Sequence, residues 1–465
     1  MSRQNIANIF LYASIFALPW QTRWIFRDLT LGSDIWEYGR LSIYLVEVLI
    51  FIAFALRGQF QLQPTLEKFG KEAMFFLSVL MISVAWSQNI SLALGTIIHI
   101  LAAIALFFLM IDRRTSLLHV GLAFVSSLIL PSIFAWYQVL TGLSPANSGL
   151  GLAAHDAATL GASVVETASG RLLRAYGTFP HPNIFGGYLA IGLLVCGWHG
   201  WYSNTNGTKV PKNRFLGTLV PFVSVAVLSS TLVLTFSRSA WLAFAVGVLV
   251  WISSFVIARR HQPTKQSSIS TDSREIATLP QIARNDRIVY WFLITITVTV
   301  LATVTLFHQA IFSRFQPSNR LESISISERT SGYRDWDDVI RQNIFTGVGP
   351  GNYTLALATV FPGRPTYAYQ PIHNTILLFL AETGILGLVV LVRFFRLIFE
   401  RKITSITLIT SITFLSTLFI LLLLDHYFFS LWPGLILLAF TFAFFLKSLS
   451  GSKKVCPALR AGRPL

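Results

Sequence analysis

Long apolar runs separated by short polar segments dominate this chain of 465 residues. Their length and continuity favour helices over barrel strands, because backbone groups in lipid must find hydrogen bonds within their own segment. Runs long enough to cross about 30 Å of hydrocarbon predict twelve membrane helices, near 6–20, 41–56, 72–86, 91–111, 116–140, 183–202, 214–236, 239–258, 288–312, 373–399, 403–424 and 427–446. We therefore predict an all-α polytopic membrane protein, with 1–465 as a single transmembrane domain.

Four polar segments interrupt this pattern. Residues 141–182 and 313–372 are predicted to be periplasmic loops. Residues 259–287 are rich in Ser and Thr and are interpreted as a cytoplasmic polar linker. The tail 447–465 is basic, and we place it in the cytoplasm near anionic headgroups.

The longest of these segments, the large loop that precedes the tenth predicted helix, is longer than a connection requires. Long ordered loops tend to be functional. Within it, Trp336, Val339 and Ile340 would form one apolar face of a short helix lying on the membrane or covering a cavity. The glycine-rich stretch 347–351 then predicts a turn that ends this helix.

Composition and charge agree with a membrane protein. Hydrophobic residues make up 54% of the chain and charged residues only 12%. Of the 36 Lys and Arg residues, 24 fall in segments on the side of both termini, which predicts cytoplasmic N- and C-termini. Because topology accounts for the net charge of +16, no nucleic-acid partner is required. Two cysteines are too few for a disulfide framework.

The basic residues are also divided by type. Every lysine lies on the predicted cytoplasmic side, and all twelve basic residues on the outer side are arginines. A guanidinium stays charged and binds phosphate or carboxylate with two prongs, which an ammonium does not do. The outer face is thus suited to an anionic ligand.

Four stretches carry a family resemblance. In chain order they are RAYGTFPHPNIFGGYLA (174–190), TFSRSAWLA (235–243), GVGPGNY (347–353) and HNTILLFLAETGILG (373–387). Together with the long loop before the His-Asn helix, this ordered set resembles the O-antigen ligase and polymerase superfamily of membrane glycan-transfer proteins. The resemblance implies a GT-C-like fold, a site that faces the periplasm, and a glycan donor carried on undecaprenyl diphosphate.

The resemblance also implies roles for two arginines. Arg174 and Arg238 would bind the donor diphosphate, and positive groups that meet the charge developing on a leaving group lower the barrier to its departure. Each lies beside a predicted helix N-terminus, which favours anions as well. Arg171 is an alternative to Arg174, although it matches the motif less well.

The same reaction needs a base for the acceptor hydroxyl. His373 would serve, since the ordinary histidine pKa of about 6.5 lies near working pH. Asn374 either orients a sugar hydroxyl or caps the helix, and Asn183 and Tyr353 are further possible substrate contacts. Glu382 lies deeper in the span and is interpreted as a structural residue that must be paired or protonated.

We predict neither a metal nor another cofactor. The acidic residues Asp335, Asp337 and Asp338 are interpreted as first-turn carboxylates of a loop helix, with Arg334 and Arg341 as surface partners. Two arginines would then do the work that a divalent cation does elsewhere.

The prediction is an inverting, metal-independent glycosyltransferase of the bacterial inner membrane. A ligase would transfer the glycan onto lipid A-core, a polymerase onto another lipid-linked repeat, and a protein-glycosylating relative onto a side-chain hydroxyl. The partners are therefore the lipid-linked donor, a glycolipid or glycan acceptor and the bilayer. An anion permease is less favoured, because only Glu47 and Glu382 lie at mid-membrane depth. The hypothesis requires Arg174, Arg238 and His373 to converge in one outward-opening pocket.

Overall fold

A computed structural model describes residues 2–168, 170–205, 214–260, 279–316, 320–399 and 405–451 of the protein. Most of the predicted cytoplasmic linker, 261–278, and most of the basic tail, 452–465, lie outside the described residues.

Helices form most of the described chain. They are α1 (Arg3–Ala17), α2 (Leu45–Arg57), α3 (Pro64–Val84), α4 (Ile90–Ile111), α5 (Leu117–Ser127), α6 (Ile129–Thr141), α7 (Pro182–Thr205), α8 (Arg214–Leu234), α9 (Arg238–Arg260), α10 (Leu279–Leu306), α11 (His308–Ser313), α12 (Arg320–Gln342), α13 (Tyr353–Val360), α14 (Thr375–Phe399), α15 (Ser405–Leu424), α16 (Tyr427–Ser430) and α17 (Trp432–Gly451). Each of the twelve apolar runs coincides with one or two of these helices.

Five helical segments in the described ranges are long and apolar enough to cross a membrane. They are Ile90–Ile111, Leu117–Thr141, Val289–Leu306, Thr375–Ile398 and Trp432–Leu449. Four shorter apolar helices accompany them: Pro182–Trp198, Phe222–Leu234, Arg238–Ser253 and Ile412–Leu424. The protein is therefore a largely helical, multi-pass membrane protein. The count of twelve spans stays a prediction, since α1 and α2 have only 15 and 13 residues and about 20 are needed.

Helix α17 is the centre of the bundle. Its apolar stretch is 72% buried, whereas that of α10 is only 11% buried and lies at the periphery. Aromatic side chains fill the core around α17, where the rings of Phe124 and Phe440 stack with centroids 4.0 Å apart. Helix α17 packs against α4, and α9 packs against α15. These contacts place the N-terminus of α9 close to the C-terminus of α15.

Three antiparallel hairpins in the polar segments were not predicted. They pair β1 (Arg23–Leu31) with β2 (Asp34–Tyr44), β3 (Leu143–Ser144) with β4 (His155–Asp156), and β5 (Val164–Thr167) with β6 (Gly170–Leu173). The second predicted span, 41–56, was therefore wrong at its start, because 41–44 continue strand β2. The first hairpin also contacts the large loop, since Trp36 Nε1 donates to Thr354 Oγ1 (3.2 Å).

Helix α14 is interrupted where the glycine-rich turn of the large loop packs against it. Gly384 has a φ of 62° inside the helix, and a Cβ there would lie 2.4 Å from the carbonyl oxygen of Phe345. The N–H of Gly349 donates to the carbonyl of Glu382 (3.0 Å). The Glu382 carboxylate accepts from the N–H of Gly351 (2.6 Å). Glu382 thus holds two segments together, which agrees with its predicted structural role.

Helix α12 is longer than the short helix expected in the large loop. It begins at Arg320, so Asp335 lies deep within it, and the assignment of the acidic residues to a first turn was wrong. Asp335 instead accepts from both Nη atoms of Arg364, at 2.6 and 3.2 Å. Asp337 forms the expected surface ion pair with Arg341 (2.7 Å). These carboxylates are engaged in ion pairs.

Candidate active site

Arg174 is buried between the strand β6 and helix α7. Its side chain donates from Nε to the carbonyl of Thr235 (2.8 Å) and from Nη2 to Asn183 Oδ1 (2.6 Å). Within the described residues, Nη1 makes no hydrogen bond, so part of the guanidinium's five-donor capacity is free. Burial and the nearby Arg314 charge lower the pKa of Arg174 to about 9. The group remains protonated at neutral pH and can bind an anion.

Asp425, at the end of α15, joins four elements of this region. Its Oδ1 accepts from Asn183 Nδ2 (3.2 Å), and its Oδ2 accepts from Ser239 Oγ (2.5 Å). Its backbone carbonyl accepts from Thr375 Oγ1 (2.7 Å). Helices α7, α9, α14 and α15 therefore meet around one residue. No pattern in the sequence singled out Asp425.

His373 lies just before α14, on the same side of the bundle. Its ring meets the ring of His426 edge to face, with centroids 5.1 Å apart. Burial lowers the pKa of His373, the Asp425 carboxylate raises it, and the Arg329 charge lowers it further. In the part of the chain that the structure describes, its ring nitrogens have no hydrogen-bond partner. A neutral imidazole with an uncommitted nitrogen can accept a proton.

Two more histidines surround this position. Burial lowers the pKa of both His181 and His426 well below the ordinary value. His181 Nδ1 accepts from the N–H of Asn183 (3.1 Å), and His426 Nδ1 lies 2.7 Å from Ser430 Oγ. Both are therefore neutral and held by their own neighbours, in contrast to His373.

Arg238, the first residue of α9, is part of an ion triad. Its Nη2 lies 2.9 Å from Glu322 Oε2, and its Nη1 donates to the carbonyl of Arg314 (3.2 Å). The Arg314 guanidinium contacts the same carboxylate. Glu322 is buried, whereas the Arg238 side chain is 31% exposed. One carboxylate thus bridges two guanidiniums, and only Arg238 of the three was predicted.

The start of α9 links the triad to Asp425. Arg238 reaches Glu322, and the next residue, Ser239, reaches Asp425. Just before them, Phe236 is buried and has a φ of 49°. Positive φ is strained for a bulky side chain, and such strain concentrates at functional sites. Arg238 and Ser239 are adjacent in the chain, so the first turn of α9 contacts both the ion triad and Asp425.

Arg329 of α12 contributes a further positive charge. It lowers the pKa of His373, His181 and His426. Its Nε is buried without a hydrogen-bond partner in the described chain. Only its membership of the outer arginine set marked it in the sequence. We call Arg174, Arg238, Arg329, His373 and Asp425 the site cluster.

Of the two arginines considered for the first position, only Arg174 belongs to this cluster. Arg171 points into its own loop, where Nη1 donates to the carbonyl of Ala158 (2.9 Å) and Nη2 to that of Thr159 (3.4 Å). Arg171 lies on strand β6 and Arg174 just after it, with two residues between them. The fold directs them to different surroundings.

The three other predicted substrate contacts are Asn374, Asn183 and Tyr353, and each is hydrogen-bonded within the protein or buried in it. Asn374 Oδ1 accepts from the N–H groups of Ile376 and Leu377, both at 3.1 Å, so it caps α14. Asn183 bridges Arg174 and Asp425, as described above. Tyr353 is only 1% exposed. In this structure Asn374 and Tyr353 support the site rather than face an open surface.

Among the residues that the structure describes, there is no group of three or more His, Cys, Asp or Glu side chains that could hold a metal ion.

A family model described as O-Antigen ligase matches residues 223–392. The resemblance to the O-antigen ligase and polymerase superfamily is confirmed. The matched O-antigen ligase segment holds Arg238, Arg329 and His373, whereas Arg174 and Asp425 lie outside it. No curated protein and no solved structure matches the chain. The match supports a membrane protein of the glycan-transferring type.

Proposed function

We propose that the protein transfers a glycan from undecaprenyl diphosphate to an acceptor hydroxyl at the periplasmic face of the bacterial inner membrane, as an O-antigen ligase acting on lipid A-core. One observation carries the proposal. Arg174, Arg238 and His373 come from distant segments, and Asp425 relates to each of them. Its charge acts to raise the pKa of Arg174 and of His373, and its carboxylate accepts a hydrogen bond from Ser239, the neighbour of Arg238. We propose that this positive charge and the neutral imidazole act on the same substrate.

His373 is the proposed base in this reaction. Its neutral ring takes the proton of the acceptor hydroxyl while the oxygen attacks the anomeric carbon from the side opposite the diphosphate, which inverts the configuration. The imidazolium that forms is stabilised by the Asp425 carboxylate, the group that already raises the His373 pKa. Burial and the Arg329 charge keep the ring unprotonated beforehand.

Arg174 and Arg238 are the proposed ligands of the leaving group. As the bond from the anomeric carbon to the diphosphate oxygen breaks, its electron pair goes to the diphosphate. Guanidiniums that already point to that position stabilise the new charge without rearrangement. Arg174 retains the free Nη1 for this purpose, and Arg238 is partly exposed. Because these cations supply the charge, the reaction is proposed to need no metal.

The test uses purified protein in proteoliposomes with a labelled glycan on undecaprenyl diphosphate. Two acceptors are offered separately, lipid A-core and a second lipid-linked repeat. We expect transfer to lipid A-core that persists in EDTA. Product on the lipid-linked repeat alone would identify a polymerase, and absence of transfer to both would contradict the proposal.

Arg238→Lys tests the donor site within the same assay. It keeps the charge but loses the two-pronged geometry, so we expect about tenfold weaker donor binding, equivalent to about 1.4 kcal/mol. Arg334→Lys, at an exposed position of α12, is the matched control and should bind the donor like the wild type. Unchanged donor affinity in Arg238→Lys would count against Arg238 as a diphosphate ligand.

A further inference from the structure

Glu322 occupies a position that an anionic ligand would suit. Its carboxylate is buried and lies against the guanidiniums of both Arg238 and Arg314. A carboxylate that bridges two guanidiniums uses the same charge-assisted contacts that phosphate oxygens use. The donor diphosphate is proposed to bind Arg238. Glu322 and the donor therefore compete for one cation.

Glu322 also belongs to a helix face that carries a second charge acting on the site. Glu322, Arg329 and Trp336 are spaced by seven residues, about two helical turns, and so lie on one side of α12. Arg329 acts on the three histidines. Trp336 Nε1 donates to the carbonyl of Leu377 in α14 (2.8 Å), and Val339 is fully buried. The apolar residues predicted for this helix thus anchor its C-terminal half to the bundle, whereas Glu322 lies near its N-terminus.

We propose that Glu322 is a positioning residue that stands in for the donor diphosphate: it holds Arg238 and Arg314 in place while the site is empty and releases them when the diphosphate binds. This inference rests on the proposed function, because it takes Arg238 as a ligand of the diphosphate. A carboxylate and a diphosphate on the same guanidinium repel each other in a poorly solvated site. The more highly charged diphosphate displaces Glu322, and the first turns of α12 loosen while Trp336 keeps the other end attached.

The first experiment measures binding of undecaprenyl diphosphate, without a glycan, to the purified full-length protein in detergent. Glu322→Gln keeps the shape of the side chain and removes the competing charge. We expect a dissociation constant about tenfold lower than that of the wild type, and a lower KM for the donor in the transfer assay. Asp337→Asn is the matched control, since it removes an exposed carboxylate from the same helix and should leave both values unchanged.

A merely structural role for Glu322 gives the opposite result. Losing a buried ion-pair partner would then disorder the arginines, weaken binding and raise the KM. Weaker or unchanged binding in Glu322→Gln would therefore overturn the proposal.

A second measurement uses the wild type and does not depend on how well the variant folds. Hydrogen exchange of the amides in 320–328 should become faster when undecaprenyl diphosphate is added, while exchange around Trp336 stays slow. Slower or unchanged exchange in 320–328 would contradict the displacement.

Arg238→Ala separates this inference from the proposed function. If that variant binds undecaprenyl diphosphate as tightly as the wild type, the proposed donor site is wrong. If it binds weakly but Glu322→Gln does not bind more tightly, the donor site stands and only the role of Glu322 is wrong.

Discussion

Two groups of charges lie at opposite ends of the bundle, and they differ in how exposed their charged side chains are. The first, which we call the Asp112 network, contains Arg57, Asp112, Arg114 and Lys447. Asp112 accepts from three nitrogens of Arg114 and from the N–H of Gln61. The ammonium group of Lys447 donates to three backbone carbonyls at the end of α4 and just beyond it. The carboxylate and the ammonium are thus fully engaged, whereas Arg57 Nε and Nη1 are buried without a hydrogen-bond partner in the described chain.

The site cluster is also charged but is less buried, since the Arg238 side chain is 31% exposed, and several of its nitrogens are unpaired within the described ranges. In the described residues, Arg174 Nη1, Arg329 Nε and the ring nitrogens of His373 have no hydrogen-bond partner. Unpaired polar groups in a partly exposed cluster can bind a ligand, whereas the unpaired nitrogens of Arg57 belong to a side chain with no exposed area. The Asp112 network thus ties helix ends together, and we propose that the site cluster receives a substrate.

The largest expected effect separates catalysis from stability. His373→Ala should reduce transfer by about 10²- to 10⁴-fold, because a general base is lost, without lowering the temperature of unfolding in detergent. The measurement is transfer rate and thermal unfolding on the same preparation. His308→Ala, at an exposed histidine, is the control and should transfer normally. A wild-type rate in His373→Ala would remove the distinction between the two charge groups.

The second-largest expected effect is on stability and not on the transfer rate. Asp112→Ala should lower the free energy of unfolding by about 3–5 kcal/mol, because a fully buried partner is removed from the charges around it. The transfer rate per folded molecule should stay at the wild-type level. Denaturant unfolding gives the free energy of unfolding. The transfer rate divided by the amount of folded protein gives the rate per folded molecule. Lost activity at unchanged stability would mean that the Asp112 network also serves the reaction.

The smallest effect is a shift in pH dependence. The Arg329 charge lowers the pKa of His373, so Arg329→Gln should raise that pKa. Transfer needs the neutral ring and is lost as pH falls through the His373 pKa, so the acidic limb of the kcat/KM profile should move to higher pH. Asp425→Asn should move it to lower pH, since that carboxylate raises the pKa, while His181 and His426 remain neutral neighbours.

Arg334→Gln, on the exposed part of α12, is the control for this shift and should leave the profile in place. An acidic limb that stays where it is in Arg329→Gln would show that Arg329 does not act on the base.

The sequence was most informative where a residue's role follows from local pattern. Apolar runs located the helices, and the ordered motifs singled out Arg174, Arg238 and His373. It was least informative about partners distant in the chain. Asp425 and Glu322 carry no local signal, because a single carboxylate at a helix end or in a polar loop is equally compatible with a surface position. The hairpin at 23–44 was missed because its polar and apolar residues do not alternate regularly.

The sequence alone determined that this is a largely helical membrane protein that resembles the O-antigen ligase and polymerase superfamily. Hydropathy and ordered motifs are properties of the chain itself. Only the tertiary structure decided that Arg174 rather than Arg171 joins the site cluster, that Asn374 caps a helix, and that Glu322 bridges Arg238 and Arg314. The physical reason is that a charge takes its role from the groups packed around it, and helix packing brings those groups together from segments far apart in the chain.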